Sequence, residues 1–400
     1  MKRNINLIII LSAIILVSNC AHIASKLIPF QPLPAPSGEF SVGTVVYHWR
    51  DSTRMEWFSE NDEDDVRELM VQLWYPGKPN EKALTAPYMD NLEARIPEFA
   101  KQIGIPAFMF KHLTKVTTHS FFNLEPIDDQ LPVVVFSHGL GGMRTQNTVY
   151  MQALASQGYL VAAMDHPYDA NITIYPDEQS VLYASNLPEN VTDSMAAVIR
   201  HKQLNTRSAD VSFVIDQLEK MNTGETQSKF LQKLLLDKIG VFGHSFGGAT
   251  SIHSAFHDER ISACLTLDPW YVPVQDEIIL TGLTIPFLHI GQPKWDKPLN
   301  YEKRGEFFQN SGSDALLITM NETKHFDYMD MPLFTTATQK FGLTGEIKQN
   351  RLYSILVDLH IEFFNSYVRE LTSFKPEYFQ KKYPDLIIIS KAQNYSQVTQ

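Results

Sequence analysis

The ten residues Ile239-Gly240-Val241-Phe242-Gly243-His244-Ser245-Phe246-Gly247-Gly248 leave few folds open to this chain. An apolar run with the look of a buried strand ends in Gly-x-Ser-x-Gly, and Ala249, Ile252 and Phe256 then recur at helical spacing. A strand that turns at once into a helix through a serine flanked by glycines holds that serine on a tight, strained corner, because only small neighbours let the backbones approach closely enough. The following helix points its positive end at the serine hydroxyl. The competing reading is a glycine-rich structural turn with no chemistry.

From Leu131 onward the chain repeats that alternation. Short apolar runs at Val133–Phe136, Leu160–Met164, Ile239–Phe242, Ala263–Leu267, Phe287–Ile290 and Leu316–Met320 are separated by helical patterns at Gln146–Ala155, Met195–Met221 and Phe246–Phe256, with a last one at Ile347–Leu371. Buried strands alternating with helices give an α/β fold, a mainly parallel, doubly wound sheet. Ahead of them, Thr44–Tyr47 and Leu69–Trp74 read as antiparallel N-terminal strands joined through Glu60–Asp65, an acidic turn taken as solvated surface rather than a calcium loop. With 400 residues the chain has room for two average domains, yet one α/β domain over residues 41–400 accounts for the pattern. Two insertions break the rhythm. Residues 92–122, rich in Phe, Ile and Met, could cap a site, face a membrane or pack as core helices; residues 169–193 are polar and read as a surface loop.

A serine hydroxyl is a weak nucleophile until a histidine accepts its proton, and that histidine needs a carboxylate to hold its tautomer. On a corner of this kind the partners follow in the order serine, acid, histidine. Of the thirteen histidines, His325 lies just past the last apolar run and before the final helix, where the base belongs. His289 falls inside a strand and His360 inside a helix. His253 and His257 are four apart on a helix but lack the adjoining glutamate of a zinc helix, so no metal is expected there. For the acid, spacing alone leaves Asp268 and Asp296 equal, each following a strand after the nucleophile helix. A tetrahedral intermediate also needs two N–H donors. The backbone of Phe246 is the first candidate, and that of Leu140, in the turn Ser137-His138-Gly139-Leu140-Gly141-Gly142, is the second. A phosphate-binding loop is disfavoured, since neither Gly-Lys-Ser nor Gly-x-Gly-x-x-Gly occurs at that turn.

The N-terminus carries its own signal. Lys2 and Arg3 precede an apolar run from Leu7 to Val17, too short to span a bilayer comfortably and arranged like a secretory signal peptide over residues 1–19. Val17-Ser18-Asn19-Cys20 resembles a bacterial lipobox, which makes Cys20 a candidate for lipidation and the protein an exported, membrane-anchored lipoprotein of a bacterial envelope. The alternatives are an ordinary signal peptide, giving a secreted or periplasmic protein, or an uncleaved anchor, with Cys20 incidental in either case. If Cys20 carries lipid, Cys264, the second of two cysteines, is a free thiol. Residues 20–40, with prolines at 29, 32, 34 and 36, read as an extended tether. A formal net charge of −11 repels phosphate backbones, so nucleic acid is not expected as a partner.

Several stretches together resemble the plasma-type platelet-activating factor acetylhydrolases, or group VII phospholipases A2, and their bacterial relatives. They are Leu73-Trp74-Tyr75-Pro76, Pro132–Gly141, Val161–His166, Gly243–Thr250, Leu267-Asp268 and the His325 loop, spanning residues 73–325. The resemblance implies an α/β-hydrolase fold and places the acid on Asp268, leaving Asp296 a spectator. It implies calcium-independent hydrolysis of the sn-2 ester of phospholipids bearing acetyl, short or oxidised chains, with no cofactor. The expected partners are therefore a phospholipid or small acyl-ester substrate and, through the lipid anchor, a membrane surface. Two other readings stand beside this one: a general carboxylesterase of the dienelactone or polyester hydrolase type, and a lipid-anchored binding protein without catalysis. Transfer of the acyl group to an alcohol is a further variant. Residues 92–122 follow the family only loosely, so no acyl pocket is carried over.

Overall fold

Each of the six apolar runs between Leu131 and Met320 becomes a strand. In the computed structural model, which describes residues 28–59, 65–295 and 297–391, the N-terminal strands are β1 (Ser41–Met55), β2 (Val66–Gly77), β3 (Thr85–Pro87) and β4 (Thr117–Phe122). The central ones are β5 (Leu131–Ser137), β6 (Leu160–Asp165), β9 (Leu234–His244), β10 (Ile261–Leu267), β11 (Phe287–Gly291) and β12 (Ala315–Met320), and β13 (Leu386–Ser390) comes last. The small strands β7 (Ile172–Ile174) and β8 (Ser180–Leu182) pair only with each other. The other eleven form one sheet in the order β13-β12-β11-β10-β9-β5-β6-β2-β1-β4-β3. Pairing from β6 across to β12 is parallel, whereas β1 with β2, β2 with β6 and β12 with β13 are antiparallel.

Alternation along the strands builds two cores. Val134 and Phe136 join Phe242, Leu265 and Leu288 under the helices Thr148–Ser156 and Gln349–Tyr367. Val133 and Val135 join Val241, Cys264 and Phe287 on the opposite face, under Asp193–Thr223, Phe246–His257 and Pro298–Asn310. The sheet is thus doubly wound, as its apolar runs implied. From β5 the chain crosses to β6 on one side and later returns to β9 on the other. At such a reversal the crossing helices leave in opposite directions, and a crevice opens beyond the carboxyl ends of β5 and β9. Ser137 and His244 end those two strands.

Several expectations need correction. From Ile28 onward the stretch read as a tether is laid against the body: Ile28 and Leu33 are buried, Gln31 N–H donates to Phe334 O at 3.0 Å, and Leu33 N–H donates to Thr117 O at 3.1 Å. Residues 169–193 are not wholly surface loop. They carry the β7–β8 hairpin, and Asp169, Asn171, Thr173 and Ser185 are buried, because bonds such as Asn171 N–H to Gly142 O at 2.8 Å replace the water that polar groups require. Residues 92–122 are packed in part, with Ala100, Phe110, Leu113 and Val116 buried and Phe108 and Phe122 exposed. Helix Leu92–Ile103 and the turn Ala107–Phe110 close a small apolar cluster with Ile28 and Phe30, and β4 pairs in parallel with β1. Edge strand β13 was not anticipated. Residues 1–19, Cys20 and Asp296 lie outside the described residues, as does most of the acidic turn. No helix among the described residues is long and apolar enough to cross a membrane.

Candidate active site

Strand β9 delivers Ser245 to the crevice. The serine has φ 58° and ψ −119°, a conformation that an L-residue adopts only under constraint from its surroundings. The glycines supply that constraint. A Cβ on Gly247 would overlap the Ser137 carbonyl, one on Gly243 would overlap the Gly247 carbonyl, and one on Gly139 would stand 3.2 Å from Ser245 Cβ. Ser245 N–H donates to Leu267 O at 3.0 Å, fastening the corner to the end of β10.

The partners come from the ends of the next strands. Asp268 directly follows β10, is wholly buried and takes a left-handed φ of 42°. His325 opens the short turn His325–Tyr328 after β12. His325 Nδ1 donates to Asp268 Oδ2 at 2.6 Å, so Nε2 is left to accept from Ser245 Oγ at 2.9 Å. Gln292 N–H at 3.1 Å, Gln292 Nε2 at 2.8 Å and Trp295 Nε1 at 3.0 Å also donate to the Asp268 carboxylate. Burial raises the Asp268 carboxyl, but the His325 hydrogen bond and charge, with the Trp295 indole, outweigh it and hold the group below its ordinary value. Ser245, Asp268 and His325, singled out from the sequence, are therefore in contact.

The turn after β5 passes beside the serine with its peptides pinned. His138 Nδ1 donates to Gly139 O at 2.6 Å, and Gly142 N–H donates to the same oxygen at 3.0 Å. In a trans peptide the N–H points opposite its C=O, so the Leu140 N–H faces away from those donors. Phe246 begins its helix, where the N–H has no intrahelical acceptor. Gly141, at φ 69°, donates its N–H to Asp169 O at 2.8 Å and leaves no room for a Cβ against Gln102.

A cavity of about 680 Å³ opens here, lined by Leu140, Ser245 and His325, by the rings of Trp270, Trp295 and Phe326, and by Lys297 and Lys324. It is large enough to take most of a small ligand. No group of three or more His, Cys, Asp or Glu among the described residues is placed to hold a metal ion; His253 and His257 have rings 4.4 Å apart with no third ligand.

His244, Gln146, Gln292 and Trp295 were missed in the sequence. The fully buried His244 donates from Nε2 to the His325 carbonyl at 3.0 Å and accepts at Nδ1 from Gln146 Nε2 at 2.9 Å. Burial, then the charge of His325, bring its imidazole down to about 3, so it holds the His325 loop as a neutral ring. Its place inside Gly-x-Ser-x-Gly was the available signal.

The sequence profile described as "Platelet-activating factor acetylhydrolase, isoform II" matches residues 28–381. The chain belongs to this family. Similar proteins include the platelet-activating factor acetylhydrolases of Canis lupus familiaris, 28% identical over 80% of this chain and 73% of the relative, and of Bos taurus, 28% identical over 71% and 68%. A probable 1-alkyl-2-acetylglycerophosphocholine esterase of Arthroderma benhamiae is 30% identical over 46% of this chain and 40% of its own. Among solved structures, a ferulic acid esterase from Streptomyces cinnamoneus has a TM-score of 0.71 at 24% identity, over 90% of this chain and 99% of its own. The fold is that of the α/β hydrolases, and this member of the acetylhydrolase family is a carboxylic ester hydrolase.

Proposed function

We propose that this protein is an exported serine esterase that hydrolyses the sn-2 acyl ester of phospholipids with short or oxidised chains through an acyl-enzyme. The observation that carries the reading is His325, which bridges Ser245 at 2.9 Å and Asp268 at 2.6 Å. Ser245 Oγ attacks the ester carbonyl carbon while His325 Nε2 takes its proton and Asp268 steadies the imidazolium. The negative oxygen sits against the N–H groups of Leu140 and Phe246. When the intermediate collapses, the bond to the glycerol oxygen breaks and His325 returns the proton to that leaving group. Water, deprotonated by the same nitrogen, then releases the fatty acid and restores Ser245.

Three observations favour phospholipid over small esters alone. The relatives named above are acetylhydrolases and a probable alkylacetylglycerophosphocholine esterase. The cavity sets aromatic rings beside the serine for the apolar part of a lipid, and Lys297 and Lys324 supply the sign that a phosphodiester requires. Export through residues 1–19 and anchoring through Cys20 belong to the same proposal.

Turnover of an sn-2-acetyl phospholipid and of p-nitrophenyl butyrate by the native protein and by Ser245→Ala is the direct test. Both substrates should be cleaved, and Ser245→Ala should lose about 10⁴-fold or more. Phospholipid left intact while the nitrophenyl ester is consumed would make the protein a general carboxylesterase. No adduct with a fluorophosphonate in folded protein would make it a binder. Mass spectrometry of the mature N-terminus checks Cys20, where an unmodified cysteine or a cut elsewhere counts against the anchor.

A further inference from the structure

The long helix Asp193–Thr223 turns a polar stripe inward: Arg200, Gln203, Arg207 and Asp210 are buried at spacings of three and four among Leu204, Val211 and Val214. Arg207, wholly buried, is the unusual member. Its Nη2 donates to the His138 carbonyl, while its Nε and Nη1 have no hydrogen-bond partner among the described residues and Nη1 stops 3.6 Å from Asp169 Oδ2. A buried cation that makes so few hydrogen bonds is an expensive way to stabilise a fold, since an apolar side chain of similar size would serve as well or better. What the guanidinium does touch is the oxyanion machinery on both sides. It holds the carbonyl of His138, the residue that leads into the Leu140 turn, and it lies over the Phe246 ring at 5.1 Å.

Asp169 holds the other end. Its backbone oxygen accepts from Gly141 N–H at 2.8 Å, and its carboxylate is oriented by Ser185 Oγ and by Gln203 Nε2 at 3.2 Å. The peptide bearing the Leu140 N–H is thus bracketed, with Arg207 fixing the plane before it and Asp169 the residue after it. Gln146 Oε1 completes the bracket by accepting from Gly139 N–H at 3.3 Å, so that both ends of the 138–139 peptide are tied.

We propose that Arg207, paired with Asp169, is the positioning residue that aims the Leu140 N–H and seats the Phe246 backbone at the oxyanion. The proposal rests on the serine-esterase reading, and its effect falls on the transition state: tilting one preorganised donor weakens binding of the tetrahedral anion and leaves binding of the planar ester nearly unchanged.

Arg207→Met and the charge-preserving Arg207→Lys test this in the full chain, with p-nitrophenyl butyrate as substrate and the melting temperature recorded alongside. Arg207→Met should lower kcat about 10- to 1000-fold with KM within about threefold, since outright loss of one oxyanion donor costs about 100- to 1000-fold and a tilted donor costs no more. Affinity for a trifluoromethyl ketone, which forms a tetrahedral anion on the serine, should fall in parallel with kcat. Arg207→Lys, a compact ammonium that cannot span both neighbours, should fall between. If Arg207→Met fails to fold, Arg207→Lys carries the test. A folded variant with kcat within twofold of native overturns the proposal, and so does a kcat loss with unchanged ketone affinity. Failure of the native protein to turn over any ester would instead sink the serine-esterase reading.

Discussion

At the scale of the residue, Asp268 is held from more sides than an acid needs merely to be near a histidine. Three donors from Gln292 and Trp295 fix the carboxylate, so its orientation does not depend on His325. In Asp268→Asn the amide oxygen keeps the Gln292 N–H and Trp295 donors, which turns the NH2 toward His325 Nδ1. A donor there forces the imidazole into the tautomer with its proton on Nε2, where it cannot accept from Ser245. We expect kcat to fall about 10³- to 10⁴-fold with the melting temperature nearly unchanged, the pattern of a wrong tautomer in an intact site. Steady-state kinetics with thermal melts check it, and a loss under tenfold would show that His325 keeps its tautomer without the carboxylate.

At the scale of the element, what could be read in advance was whatever announces itself locally. The central parallel strands were legible because strands covered on both faces are apolar throughout, and Ser245 because glycine-rich corners have a signature. The rest depends on contacts distant in sequence. Spacing could not separate Asp268 from Asp296, and nothing near Arg207 says that the helix turns its polar stripe toward residues 138 and 169. Leu386–Ile389 is an apolar run, but after the last helix nothing local says that it pairs antiparallel with β12. One prediction belongs to this scale. On β9 the helix Gln349–Tyr367 approaches so closely that a Cβ on Gly240 would stand 2.6 Å from Phe364 Cε1. Gly240→Ala should cost about 1–3 kcal/mol by overpacking. Because the obstacle is a side chain, the same substitution in a Phe364→Leu background should cost less; denaturant unfolding of the four proteins measures the coupling, and strictly additive losses would place the strain elsewhere.

At the scale of the whole molecule, the fold keeps several imidazoles neutral in its interior. His360, inside the helix Gln349–Tyr367, is wholly buried, donates from Nδ1 to Leu356 O at 2.7 Å and stacks on Tyr150 at 4.7 Å. Burial brings it down to about 4, while in the unfolded chain it takes a proton near its ordinary 6.5. Between those values the unfolded state binds more protons, so this contribution is complete above about pH 6.5 and is lost as pH falls toward 4. Asp169 and Asp330, whose carboxyls burial pushes up, tilt the curve the other way, so the slope of one protein alone does not isolate His360. The difference between two proteins does. His360→Gln should be less stable than native at pH 7, having lost the ring's packing, and its stability should fall less steeply between pH 6.5 and 4.5, by up to about 1.4 kcal/mol per pH unit. Urea unfolding at half-unit steps of pH gives both curves, and parallel curves would mean that the ring titrates alike in the folded and unfolded chains.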